Sequence, residues 1–345
     1  MRYLRTAALG VTAVVLASPA LAACGSDDKP GDKRLTVYSG RSESLVKPIL
    51  EQFQSATGIT VEVRYADSAA MAAQLLEEGS KSPADVFLSQ DAGALGAVSK
   101  EGLLAAVPTD LLGRVPSTYQ AKNGHWVGVT GRSRVLVYNA DAVAEADLPR
   151  SVHELTDPKW RGKVGVAPTN ASFQAFVTAL RLTDGEEKAK QFLVDLKANG
   201  AQIRDNNVLI VQDVQDGKLA AGLVNHYYVF AKAKELGTGI DGLKARLHFF
   251  PDGDVGALVN VSGVGVLNKA GTDPDARVLV DFLLGSQAQH YFAEQTFEYP
   301  LAAGAEPNPV LPKLDTLTVT RVDLGELGSG LEKTADLIEK SGLHT

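Results

Sequence analysis

Two adjacent tyrosines, Tyr227 and Tyr228, are the residues of this chain whose type and spacing most suggest chemistry. A phenol must lose its proton to bind a metal, and from an ordinary pKa near 10 that costs about 4 kcal/mol per ring at pH 7. A highly charged cation offsets two such costs. Fe³⁺ is the ion that fits, since Mg²⁺ and Ca²⁺ prefer carboxylates and carbonyls and Zn²⁺ prefers Cys and His. Fe³⁺ on two phenolates keeps one positive charge, which an anion on a helix N-terminus neutralises. The flanking residues place the pair at such an end. Leu219–Val224 reads as a buried strand, Asn225 is a good N-cap, and Val229, Phe230, Ala233 and Leu236 follow at helical spacing before Gly237. Neighbouring side chains diverge on a regular strand, but at a strand-to-helix corner both rings can face one cleft.

The elements that must hold this corner alternate. Arg34–Ser39, Ile59–Arg64 and Ala84–Ser89 read as strands. Helices follow them, from Ser42 (with Leu45, Ile49 and Phe53), from Ser68 (with Met71, Leu75 and Leu76) and over Ala92–Lys100. That order predicts a parallel, doubly wound sheet, with ligands outside the carboxyl ends of its strands. Trp126–Thr130 and Arg134–Tyr138 read as two strands broken at Gly131-Arg132, a crossing into a second domain. The second domain holds Val164–Val166, helices over Ser172–Leu182, Gly185–Ala198 and Val208–Val214, the tyrosine corner, and a strand over Ala245–Phe250. Gly256–Leu267 crosses back, and Pro274–Leu284, Gln287–Glu294 and Leu331–Ser341 are amphipathic helices. The expected fold is α/β: two doubly wound domains joined by a two-crossing hinge, with a ligand cleft between them. The first domain takes 34–131 plus 257–300, the second 132–256 plus 301–345. Closure of such a cleft is a common binding device.

Composition and the N-terminus give the address. Arg2 and Arg5 precede an apolar run to Ala20, and Leu21-Ala22-Ala23-Cys24 follows. This resembles a lipoprotein signal peptide (1–23), with Cys24 as the lipidated first residue of the mature chain. Cys24 is the sole cysteine, so no intrachain disulfide or thiolate metal cluster forms. Acyl chains there would anchor the chain to the outer face of the cytoplasmic membrane rather than span it. Residues 24–33 read as a flexible tether. The formal charge is −7, and −9 once residues 1–23 and their two arginines are removed. An acidic exported chain without a basic patch argues against nucleic acid.

Several motifs carry a family resemblance. They are Leu35-Thr36-Val37-Tyr38-Ser39-Gly40, Glu78–Phe87, Gly131-Arg132-Ser133-Arg134, Pro158-Lys159-Trp160, Asn225-His226-Tyr227-Tyr228, Gly256-Ala257-Leu258-Val259 and Glu298-Tyr299-Pro300-Leu301. In order and spacing, over nearly all of Leu35–Leu301, the chain resembles the ferric-ion-binding proteins of bacterial ABC-type iron uptake. The resemblance implies one Fe³⁺ held with a synergistic anion (carbonate, phosphate or citrate) and delivery by a monomer to a membrane permease and its ATPase. It makes Tyr227 and Tyr228 the phenolate ligands. It assigns the anion to Thr169, Asn170, Ala171 and Ser172, to Asn207 (or Asn206), and to Asn225. Where some relatives carry a third tyrosine this chain has Phe173, and where many carry a histidine and a glutamate it has Ser42 and Gln90. Glu43 and Asp91 stand one residue away from those two cleft positions.

Among the remaining candidates, His226 reads as a solvated turn residue, Trp126 and Trp160 as packing residues, and Arg132 and Arg134 as members of structural ion pairs. His125, His153, His248, His290 and His344 show no ligand spacing. A second reading keeps the fold but makes the cargo an anionic solute: a phosphonate, a sulfonate or a metal chelate. An exported hydrolase is disfavoured, because Gly-x-Ser-x-Gly, His-Glu-x-x-His and Ser-x-x-Lys with its partners are missing from the sequence.

Overall fold

The computed structural model describes residues 33–314, 317, 322–328 and 330–343. The expected signal peptide, Cys24 and all of the tether but Lys33 lie outside the described residues. The chain opens with β1 (Arg34–Ser39), α1 (Glu43–Thr57), β2 (Thr60–Tyr65), α2 (Ser68–Glu78), β3 (Val86–Ser89), α3 (Ala92–Lys100) and the short α4 (Thr109–Leu112). β2, β1 and β3 are parallel neighbours, the arrangement that helical crossovers dictate. α1 turns Val46, Ile49, Leu50 and Phe53 into the core. Ser42 stands before α1 but its side chain makes no capping bond.

β4 (Val127–Asn139) is one continuous, fully buried strand, not two strands broken at Gly131-Arg132. The expected break is a change of partner. Up to Ser133 the strand pairs with β9 (Val259–Val266), and from Arg134 onward with β7 (Ala221–Asn225). A bulge between Gly128 and Thr130 absorbs the register shift, so bending needs no chain break. β9 runs antiparallel to both β3 and β4.

Beyond β4 come β5 (Val164–Val166), α5 (Ala171–Asp184), α6 (Glu186–Ala198), β6 (Gln202–Ile203), α7 (Asn207–Gln215), then β7, α8 (Tyr227–Glu235) and β8 (Ala245–His248). β6, β5 and β7 are parallel, and β4 closes this half antiparallel to β7 and β8. After β9 come α9 (Pro274–Leu283), α10 (Ser286–Tyr291), a π-helical turn Phe292–Thr296, β10 (Tyr299–Pro300) and α11 (Leu331–Lys340). The sheet order β2-β1-β3-β9-β4-β7-β5-β6 makes β4 and β9 the strands on which the two halves meet.

Candidate functional site

The tyrosine corner forms where β7 ends and α8 begins. The rings of Tyr227 and Tyr228 lie 4.4 Å apart at 34°, so the corner does bring the pair together. Both are half-buried. Burial pushes the Tyr227 hydroxyl well above the usual tyrosine range, and its neighbour Tyr228 adds to this, while Arg132 works in the opposite sense. Without a metal, Tyr227 is therefore protonated at neutral pH, and a bound cation must displace that proton. Asn225 does not cap α8 with its side chain. The residue before the helix is His226, and Asn225 Oδ1 instead lies 3.5 Å from Arg134 Nη1.

His226 departs from its expected solvated role. It is fully buried, with Nδ1 accepting from the Ser133 backbone N–H at 3.2 Å and Nε2 2.6 Å from the Phe297 carbonyl. An acceptor at Nδ1 and a carbonyl at Nε2 define a neutral ring protonated on Nε2. Burial lowers its pKa to about 4. Both nitrogens are occupied by the backbone, so the histidine orients the corner and has no lone pair left for a metal.

Arg134 is the feature that sequence reasoning misjudged. Arg132 does join an ion pair: its Nη2 lies 3.6 Å from Asp91 Oδ2 and its Nη1 donates to Ser262 Oγ at 3.0 Å. Arg134 pairs with no carboxylate among the described residues. It is 3 % exposed, Nη1 donates to Ser172 Oγ at 3.0 Å, and its plane lies 5.9 Å from the Phe176 ring. Its Nε and Nη2 have no hydrogen-bond partner among the described residues. Burial lowers its pKa to about 9, against the pull of Tyr228 and Tyr227. It remains a buried, incompletely bonded cation beside the two phenols. The separation of Arg132 and Arg134 is a tertiary fact, since Asp91 is far away in sequence.

Around Arg134 the structure assembles most of the expected anion residues. Asn170 caps α5, its Oδ1 accepting from the Ser172 N–H at 3.0 Å and from the Ser172 hydroxyl at 2.7 Å. Asn207 Nδ2 donates to Asn170 Oδ1 at 3.2 Å and to Ser172 Oγ at 3.1 Å, while its buried Oδ1 has no partner among the described residues. Asn206 caps α7 instead, its side chain accepting from the Leu209 N–H. Ala171 opens α5 exposed, and Thr169 is exposed just before it. Phe173 is buried in the core.

The other half contributes neutral groups. Ser42 is exposed, and Gln90 is half-buried with its Oε1 unpartnered among the described residues. Asp91 does not substitute for Gln90 as a ligand: Oδ1 caps α3 through Gly93 and Ala94, and Oδ2 accepts from Asn260 at 2.7 Å. Glu43 points outward to Lys47 at 2.8 Å. Among the described residues, no group of three His, Cys, Asp or Glu could hold a metal. Glu298, which had served only as part of a motif, is buried against Arg41 at 2.5 Å and bonds Thr130 and Thr296.

Known proteins share this architecture. The iron-bound HitA of Pseudomonas aeruginosa aligns with a TM-score of 0.83 and 35 % identity, over 90 % of this chain and 99 % of that one. A Trichodesmium protein (IdiA, FutA), in complex with iron and citrate ligands, aligns at 0.79 and 25 %, over 90 % and 100 %. The Fe(3+)-binding periplasmic protein of Serratia marcescens is 33 % identical over 341 residues, 99 % of each chain. The topology and these relatives define a type II periplasmic binding fold and a solute-binding protein rather than an enzyme. The model of the bacterial extracellular solute-binding proteins matches residues 81–323, and the chain belongs to that family.

Proposed function

We propose that this chain captures ferric iron together with an oxygen-donor anion, using Tyr227 and Tyr228 as phenolate ligands, and passes it to an ABC permease with its ATPase. The observation that carries this reading is the juxtaposition of the tyrosine pair with the incompletely bonded cation of Arg134. Two phenolates leave one positive charge on Fe³⁺, and Arg134 adds another, so the enclosed site favours an anion of about two negative charges. Carbonate, hydrogen phosphate and citrate all meet that demand. Asn170, Ser172, Asn207 and Asn225 surround the place where the anion would meet Arg134, with Thr169 and Ala171 at the mouth of α5. Ser42 and Gln90 would line the facing lobe without adding charge. The lobes divide near 131–132 and 256–257, the mature chain hangs from a lipid on Cys24 at the outer face of the cytoplasmic membrane, and it acts as a monomer.

Titration of the purified protein with ferric citrate tests this. A phenolate-to-iron charge-transfer band is expected in the visible and should be missing from Tyr227→Phe/Tyr228→Phe. A band that persists unchanged in the double variant would overturn the ligand assignment. The neutral facing lobe favours a second reading, capture of an anionic solute alone. That reading predicts no visible band and binding of citrate without iron.

A further inference from the structure

We propose that the C-terminal segment is a strap that ties the two lobes together and limits how far the cleft opens. It docks on both. The turn Leu324–Leu327 lies mainly on α3, which packs on β3 and β9, and also touches α5, while α11 lies on α5 and α6.

The first dock is backbone against backbone. A Cβ added to Gly93 would stand 2.7 Å from the Gly328 nitrogen, and one added to Gly96 would stand 2.2 Å from the Gly325 carbonyl oxygen. Side chains at these glycines would push the turn off the helix. Lys122 Nζ, 2.7 Å from Asp323, fastens the same turn from the loop before β4. The second dock is polar and buried. Arg181 Nη1 donates to the Gly330 carbonyl at 2.9 Å and to Thr334 Oγ1 at 2.8 Å, and the Thr334 hydroxyl lies 2.8 Å from that of Thr178.

Two peptide steps separate Gly328 from Gly330, a reach of about 7 Å when fully extended. The link between the two docks is therefore short. Its first dock is at Gly93, one turn from Gln90 and Asp91, and its second is on the helix whose first turn carries Ser172. Hinge motion about β4 and β9 that separates α3 from α5 must pull one dock apart. Nothing in the iron chemistry requires this device.

Two full-chain variants test it: Gly96→Val, which detaches the turn, and Arg181→Met/Thr334→Val, which removes the polar dock. Both should give a larger radius of gyration by small-angle X-ray scattering of the ligand-free protein. They should also lose the ferric charge-transfer band to excess competing chelator about fivefold faster or more, the scale of one or two lost buried hydrogen bonds. If Gly96→Val does not fold, the double variant decides alone. Wild-type scattering and a wild-type release rate in the double variant would overturn the strap. Scattering needs no metal, so failure of the iron reading would leave this test intact.

Discussion

In the proposed reading, Arg134 is a single residue that trades stability for function. A buried guanidinium lacking a carboxylate weakens the ligand-free fold, and two of its nitrogens wait for acceptors. Arg134→Gln should lower affinity for ferric citrate by about 10- to 100-fold, the worth of one charge-assisted hydrogen bond. The same change should leave the ligand-free melting temperature unchanged or higher, because an uncompensated charge is gone. Titration and thermal melts on one preparation check both; lower stability with intact affinity would make Arg134 structural. With Tyr227 and Tyr228 as the proposed ligands, the tyrosines set the pH response. Each must give up a proton to the metal, so binding should weaken as pH falls, by up to about tenfold per proton per pH unit. Affinity that rises on acidification, measured at fixed free ferric ion, would contradict phenolate ligation. At this scale the tyrosine corner was legible, because a strand-to-helix corner leaves a local signature, whereas the turn at 169–172 came from the family resemblance and the N-cap expected at Asn225 did not form. Two states were not legible: the burial of His226 and the lone charge of Arg134. Both depend on groups brought in by folding, Ser133 and Phe297 for one and the Asp91–Arg132 pairing for the other.

The elements show the same division. Alternating strands and helices from Arg34 to Lys100 could be read directly, since each buries one face at its own period. β4 was misread because Gly131-Arg132 looks like a break, whereas the strand continues and exchanges partners two residues later. Beside that exchange sits the buried cluster of Arg41, Thr130, Thr296 and Glu298, which ties the end of β1 to β4 and to the residue preceding β10. Burial alone would raise the Glu298 pKa, but Arg41 outweighs it and the net shift is downward from 4.5. A carboxyl depressed in the folded state contributes stability above its unfolded pKa and loses it as pH falls through the folded value. Glu298→Gln should therefore cost about 3–5 kcal/mol at neutral pH by leaving Arg41 unpaired. It should also flatten the acid-induced loss below pH 4.5, the reference value for this carboxyl. Urea denaturation across that range checks it; an unchanged acid profile would assign the loss to other carboxylates.

For the whole molecule, two lobes share β4 and β9; in the proposed reading the tyrosines of the β7–α8 corner, the turn at the start of α5 and Gln90 after β3 face one ligand. The lobed plan was visible from the interrupted alternation. The return of the tail to both lobes was not, because glycine-to-backbone contacts leave no periodic pattern. The most direct measurement is anomalous diffraction at the iron edge from crystals grown with ferric citrate. We predict one iron peak bonded to both the Tyr227 and Tyr228 hydroxyl oxygens, with anion density against Arg134, Ser172 and Asn207. Iron bound elsewhere, or anion in the cleft with both phenols uncoordinated, would contradict the account.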